Sequence, residues 1–592
     1  MRRTPFALLA VPWTASFAFA GGVAIFHGPP GGIGDVLVHD EAGGASIPVH
    51  ELSRIRLASL DFCGRTALHE LSPARPRFHD DVPFVARIAL QGHGGSLYAF
   101  ERPGPSGPTA WGFFHVANDG SARVVIERPA LPWGTNPFFD RVGVAPDGRA
   151  LLVATLAEAG GDLFEIDLAT GAVRDRTELL PPLHFALGSL LLEDDWGCGV
   201  ASEGIFRFER STVCDAEPVG FPSGATPAWF QRQVVASENG LFAATVAGDS
   251  PIAEFVWVFG RFGGAQQASL TPDRIAPAGF EPEVRSGPWL AVSDDGARVA
   301  WRSEVSTSGY GAELFLAERT PLGVALAEHV TRDELFDPYI DEIGQFSFGP
   351  GGRLSFLAGD ASSSSGSGLF RCDAFAAELL PGGLDARNLT ASSGQPLPPF
   401  TLYGLLAPER ALKLPASDST LLFDRQAESG ELLRVNAASG STTVLEDLFD
   451  FEPIGTDSNE IVFAALDDDD FDEFQIHGLP ATAWGQSDEL AELHGSYATL
   501  RSALGTAGSL AVISEHPSGN FLWRADLASG DEERMSSRSF EFGPALAFTS
   551  QQSIVFSIGA AGSPSLFCVW PHTGPARRLA NERFVGALLP AE

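Results

Sequence analysis

The sequence predicts an all-β protein, a β-propeller of four-stranded blades, and three observations carry that prediction. Between Val142 and Leu179 the residues VGVAPDGRALLVATLAEAGGDLFEIDLATGAVRDRTEL fall into four short apolar runs. Glycine turns join them at Pro146-Asp147-Gly148, Ala159-Gly160-Gly161 and Ala169-Thr170-Gly171. Alternation with a period of two marks strands, and glycine at each turn supplies the positive φ that tight hairpins require. Four strands in a stretch of that length match one blade. Secondly, weaker copies of the pattern recur along the chain. Thirdly, 44 Phe, 65 Gly and 42 Pro among 592 residues suit turn-rich, aromatic-packed sheet rather than helix.

The repeats run in order. The first is Phe84 to Glu127, with the turn Asn118-Asp119-Gly120; Val142 to Leu179 follows, then His184 to Val219 and Gln231 to Leu270. Six more lie between Trp289 and Leu579, among them LAVSDDGARVAW, FSFGPGGRLSFLAG and FLWRADLASG. An eleventh is split. Residues 34–45 (GDVLVHDEAGGA) align without gaps to 161–172 (GDLFEIDLATGA), so the first repeat begins in its second strand, GVAIFHG, and has no first strand of its own. At the other end Arg583 to Pro590 is a surplus strand, expected to pair with the N-terminal strand and close the repeat. Propellers commonly have four to eight blades. Eleven repeats therefore predict two propellers of about five and six, covering residues 21–280 and 281–592 and divided at the proline-rich stretch Thr271 to Pro288. The alternative is one large ring closed by pairing of the N- and C-terminal strands. Residues 54–82 fit no repeat and read as an insertion or a short helix.

The run Pro146-Asp147-Gly148-Arg149, an apolar strand, then Asp167-Leu168-Ala169-Thr170-Gly171 resembles the repeat of TolB-type propellers, and Phe521 to Gly530 is a second close copy. The resemblance implies a propeller and says little of function, since such repeats serve proteins with unrelated roles. TolB-type repeats also precede the hydrolase domain of prolyl-oligopeptidase-like enzymes. Here no Gly-x-Ser-x-Gly nucleophile elbow occurs, and no alternating strand–helix stretch is present to hold one.

Charge narrows the partners. With 39 basic against 75 acidic residues and a net charge of -36, the chain lacks the cations needed to replace counterions on nucleic acid or to hold an anionic membrane surface. Residues 1–20, MRRTPFALLAVPWTASFAFA, have the basic start, apolar middle and small-x-small end of a secretory signal cut near Ala20. No later apolar run is long enough to span a membrane. The expected location is secreted or periplasmic. In that setting five cysteines leave at least one unpaired, and Cys198 with Cys214, flanking a hairpin, is the expected disulfide. Cys372 and Cys568 read as buried thiols on strands. The absence of Cys-x-x-Cys removes the usual zinc and redox signatures.

Three sets of residues could carry function. In the acidic run 466–474, Asp468, Asp470 and Asp472 alternate on one loop. Converging carboxylate oxygens suit calcium, although the central Gly and distal Glu of an EF-hand are missing. The plain alternative is a solvated turn that repels edge pairing. Asp194 and Asp195 beside Trp196, with Trp484, read as loop positions where a carboxylate pair and an indole platform could meet a protein or glycan ligand. The thirteen histidines show no His-x-His or His-Glu-x-x-His spacing; His39 aligns with Ile166 on a strand, facing a blade interior or a ligand. The leading expectation is a non-catalytic propeller that binds a protein or other ligand on one ring face, with no cofactor. The alternatives are a carbohydrate- or polymer-active propeller enzyme and a calcium-binding structural protein of the envelope or cell surface.

Overall fold

The computed structural model describes strands and adjoining turns between residues 22 and 589. Residues 1–21, 59–76, 130–138, 177–189, 269–289, 331–341, 391–401 and 590–592, with shorter stretches between strands, lie outside the described residues. Among the described residues the regular structure is strand, apart from one helical turn at His50–Leu52. The antiparallel sheets among the described residues resolve into eleven units of four strands, two of them with a fifth, because the ten-stranded and the seven-stranded sheet each hold two. Unit 2 begins at Val85, and units 3 to 7 begin at Phe139, Leu190, Trp229, Leu290 and Glu342. Unit 8 begins at Ala411, unit 9 inside the long strand Gly440–Asp457, and units 10 and 11 at Ser496 and Phe542. Within a unit each strand pairs with the next in sequence, as in unit 3, where Phe139–Val144, Ala150–Thr155, Asp162–Asp167 and Val173–Asp175 lie in order. First strands of successive units touch, from Phe139–Val144 through Leu190–Leu192 and Trp229–Ala236 to Leu290–Val292. The chain is an all-β propeller of antiparallel blades.

The middle strands show why the repeats read as they do. In unit 5 the strand Ala253–Gly260 carries Val256, Trp257, Val258 and Phe259, all buried. Successive strand residues point to opposite faces, and here both faces are covered. Trp257 and Phe259 join Leu191, Trp196 and Ile205 of unit 4. Val256 and Val258 join Leu290, Val299, Trp301 and Phe315 of unit 6. A strand packed on both sides needs no polar positions, so its sequence is continuously apolar. The expected division at Thr271 to Pro288 lies outside the described residues; the units on either side of it share this core.

Unit 1 is completed from the far end of the chain. Gly22–His27 pairs on one side with Ile33–Asp40 and on the other with Gly586–Leu589, in the register Ala24↔Leu589 to His27↔Gly586. Val23 and Ile25 face unit 11, packing with Val555, Phe567, Val569 and Leu588. Ala24 and Phe26 face unit 2, with Tyr98, Phe100, Phe114 and Leu589. The terminal strand thus supplies Leu588 to one interface and Leu589 to the other.

The segment 54–82, expected as an insertion or a short helix, is strand at both ends. Ile55–Ala58 pairs with Ser96–Gly104, and Arg77–Val82 pairs with Val85–Ala89. One turn fixes the joint between units 1 and 2. Gly22 donates its N–H to the Asp119 carbonyl, and Gly120 has φ +76° with a would-be Cβ 1.8 Å from the Gly22 carbonyl oxygen. Left-handed φ and backbone contact both demand glycine. Gly120→Ala is expected to destabilise the chain by at least about 1–3 kcal/mol, read as a lower thermal midpoint; an unchanged midpoint would show that this joint adjusts freely.

Candidate functional site

On one rim, units 3, 4 and 5 are laced together by arginines. The Glu165 carboxylate, on the third strand of unit 3, is buried and pairs with Arg176, itself 1% exposed. Arg176 Nε donates to Glu165 Oε2 at 2.9 Å, and its guanidinium lies over the Phe208 ring at 4.6 Å. Arg210, following the third strand of unit 4, reaches Glu165 Oε1 at 3.1 Å and donates to the carbonyls of Glu193 and Asp194 at 3.0 and 2.8 Å. Arg261, just past the third strand of unit 5, donates from Nε to both oxygens of Glu209 at 2.8 Å and from Nη1 to Asp195 Oδ2 at 2.8 Å. Its hydrogen bonds to Glu209, assisted by the charges of Glu209 and Asp195, hold its proton more tightly than usual.

Beside this clasp two apolar side chains stand in solvent. Phe262 is 72% exposed and Leu241 49%. They are neighbours, since the Arg261 N–H donates to the Leu241 carbonyl at 3.3 Å, and Arg261 caps the Phe262 ring at 5.1 Å. Adjacent turns continue the rim. Asn239 donates from its backbone to Asp294 Oδ1 at 2.8 Å and from Nδ2 to the Asp294 carbonyl at 2.7 Å; Arg298 of unit 6 reaches the Gly352 carbonyl of unit 7 at 2.7 Å. The rim thus carries two exposed apolar side chains beside carboxylates, of which Asp195 and Glu209 already accept hydrogen bonds from Arg261.

The expected site residues divide. Asp194 and Asp195 lie on this rim, in the first turn of unit 4, and both are exposed. Trp196, read as a loop platform, is instead the first residue of the strand Trp196–Ala201 and 1% exposed. Its Nε1–H donates to the Gly240 carbonyl at 2.7 Å and its ring meets Phe259 edge-on. It joins unit 4 to unit 5 and has no face left for a ligand. Trp484, Asp468, Asp470, Asp472 and Cys214 lie outside the described residues. Cys198 is a free thiol on a buried strand rather than half of a disulfide. It faces the core shared with unit 5, and burial pushes its ionisation far up. Cys568 is likewise free and buried, its thiol pushed up to about 11. Among the described residues no group of three or more His, Cys, Asp or Glu is placed to hold a metal ion, and no helix is long and apolar enough to cross a membrane. Arg210, Arg261, Leu241 and Phe262 escaped the sequence reading. The signal that could have found the last is Arg261-Phe262-Gly263-Gly264, an aromatic in a glycine turn directly after an apolar strand.

Three histidines have pKa values pushed down to about 4, each chiefly by burial: His27, His39 and His477. His477, in unit 9, stacks on Phe463 and bonds Gln475 Oε1 at 3.0 Å and Ser487 Oγ at 3.2 Å. A folded-state value below the unfolded one means that the unfolded chain binds the extra proton first. The stability from neutral His477 is full above pH 6.5 and falls away as the pH drops towards 4. The advantage of wild type over His477→Gln is therefore expected to shrink by up to about 1.4 kcal/mol per pH unit in that window, measured by urea denaturation of both. A constant difference would sink the expectation.

No protein-family model matches the sequence, and no curated protein matches it. Among solved structures the chain is similar to TolB from Acinetobacter baumannii (13% identity, TM-score 0.22, covering 51% of this chain and 62% of that one). It is also similar to a puromycin hydrolase mutant complexed with PGG (15%, TM-score 0.26, 75% and 53%) and to dipeptidyl peptidase 4 of Porphyromonas gingivalis (9%, TM-score 0.28, 82% and 52%). The chain thus spans only part of the length of each, and TM-scores of this size leave the fold resting on the sheets themselves.

Proposed function

We propose that this protein is an exported, non-catalytic propeller that binds another protein on the rim of units 4 to 6. The observation that carries the reading is the exposed Leu241–Phe262 pair, held in place by backbone contact and by Arg261, with Asp194, Asp195 and Asp294 around it. A large rigid aromatic standing in solvent beside polar groups is the form taken by energetic centres of protein interfaces. The surrounding carboxylates favour a partner whose contact surface is basic. Export rests on the signal-like residues 1–20.

The test is recovery of partners from the native envelope and medium by the mature chain, its Phe262→Ser and Leu241→Ser variants, and Leu380→Ser. Leu380, 46% exposed in unit 7, serves as a control for exposed apolar surface elsewhere. A partner held by wild type and by Leu380→Ser but lost by at least tenfold with Phe262→Ser is the expected result. Equal recovery by all four would refute the proposed face.

A further inference from the structure

The seam where the two ends of the chain meet holds a histidine pair that the rim does not use. His27 ends the strand Gly22–His27, and His39 lies on its partner strand Ile33–Asp40. In the register Val23↔His39 and His27↔Asp35 the two are an even number of positions apart, so both side chains stand on one face of unit 1. Their Nε2 atoms are 2.9 Å apart. The ring planes differ by only 20° while the centroids are 5.1 Å apart. That separation exceeds the N–N distance by about two ring radii, so the rings meet nitrogen to nitrogen in nearly one plane, not face to face. Two N–H groups cannot point at each other at this distance, and at least one Nε2 presents its lone pair.

We propose that His27 and His39 bind a divalent first-row metal ion, Zn(II) serving as its probe, and that the bound ion staples the hairpin onto which the C-terminal strand closes the propeller. Imidazole nitrogen is a ligand that Zn(II), Cu(II) and Ni(II) all accept. Zn–N bonds of about 2.0–2.1 Å at a tetrahedral angle put two nitrogens about 3.3 Å apart and the metal off the line between them, so the rings need open by less than half an ångström and each must turn by about 35° to aim its lone pair at the ion. Both rings then carry their remaining proton on Nδ1; the ring that donates from Nε2 to the other moves that proton to Nδ1, and none is lost overall. His27 is half-buried, which leaves a side from which water can complete the coordination. Asp35, opposite His27 and exposed, adds negative charge that His27 already senses. His39 is buried against unit 11, where its ring contacts the Leu579 backbone. A metal held here therefore ties the second and third strands of unit 1 together beside the strand Gly586–Leu589.

The experiment uses the full mature chain, dialysed against chelator and titrated with Zn(II) by calorimetry and thermal unfolding. One saturable equivalent and a raised melting temperature are expected. His27→Gln and His39→Gln should each weaken that equivalent at least tenfold, whereas His50→Gln and His477→Gln should bind as wild type does. Should His39→Gln fail to fold, His27→Gln, altered at the less buried position, decides. Protection of His27 from diethyl pyrocarbonate by Zn(II) in the wild-type chain, read by mass spectrometry, is an independent positive. Zn(II) binding that His27→Gln leaves unchanged, as loose association with this acidic surface would, overturns the proposal. So does an unprotected His27.

Discussion

Exchange of Arg176 for methionine is expected to lower the stability of units 3 and 4 by about 3–5 kcal/mol, the range seen when one member of a buried ion pair is removed. Arg176 and Glu165 are 1% and 6% exposed, so water cannot replace the lost partner. Methionine fills much of the volume and keeps contact with Phe208, which isolates the charge as the cause. Arg210 still holds Glu165 Oε1 at 3.1 Å, and the loss should therefore fall at the lower end. Pairing the exchange with Glu165→Gln removes the stranded carboxylate and should recover at least half. Because a long repeat chain need not unfold in one step, hydrogen exchange is the better measurement. About 3 kcal/mol is about a hundredfold faster exchange, confined to amides of units 3 and 4. Uniform or unchanged exchange would mean that the pair contributes nothing locally.

Removal of the strand Gly586–Leu589 is expected to have the larger effect. It uncovers the edge of Gly22–His27 and strips a leucine from each of two cores, with Val23 and Ile25 exposed on one face and Ala24 and Phe26 on the other. Each leucine lost from a packed core costs about 2–5 kcal/mol, before the unpaired backbone is counted. Truncation after Leu579 should abolish cooperative melting of units 1, 2 and 11 and promote association through the bare strand edge. A peptide of residues 583–590 added in excess should restore the melt, since it can re-form the same pairing by strand addition. A truncated chain that melts like the intact one would show that the closure adds nothing to stability.

Much of this was legible in the sequence. Glycine turns and period-two runs located the eleven repeats, because each turn and each strand is specified by residues within a few positions of one another. The split first repeat was readable for the same reason. His39 aligned with Ile166, and both prove buried. What stayed hidden depends on partners far apart in the chain. Trp196 follows two aspartates and so looks like loop, yet its hydrogen-bond acceptor is the carbonyl of Gly240. Arg210 and Arg261 look like solvated cations until Glu165, Glu209 and Asp195 are brought to them from neighbouring units. Local pattern states that a blade exists, whereas the register of one blade against the next is set by tertiary contacts.

The strand Gly440–Asp457 pairs with Gly430–Asn436 along its first half and with Glu460–Asp467 along its second. Units 1 and 2 are joined in a similar way by Ile55–Ala58, which pairs with Ile33–Asp40 and with Ser96–Gly104. Between units 8 and 9 the connection is one continuous strand, so a cut there would sever both ladders. The two should therefore fray as a couple.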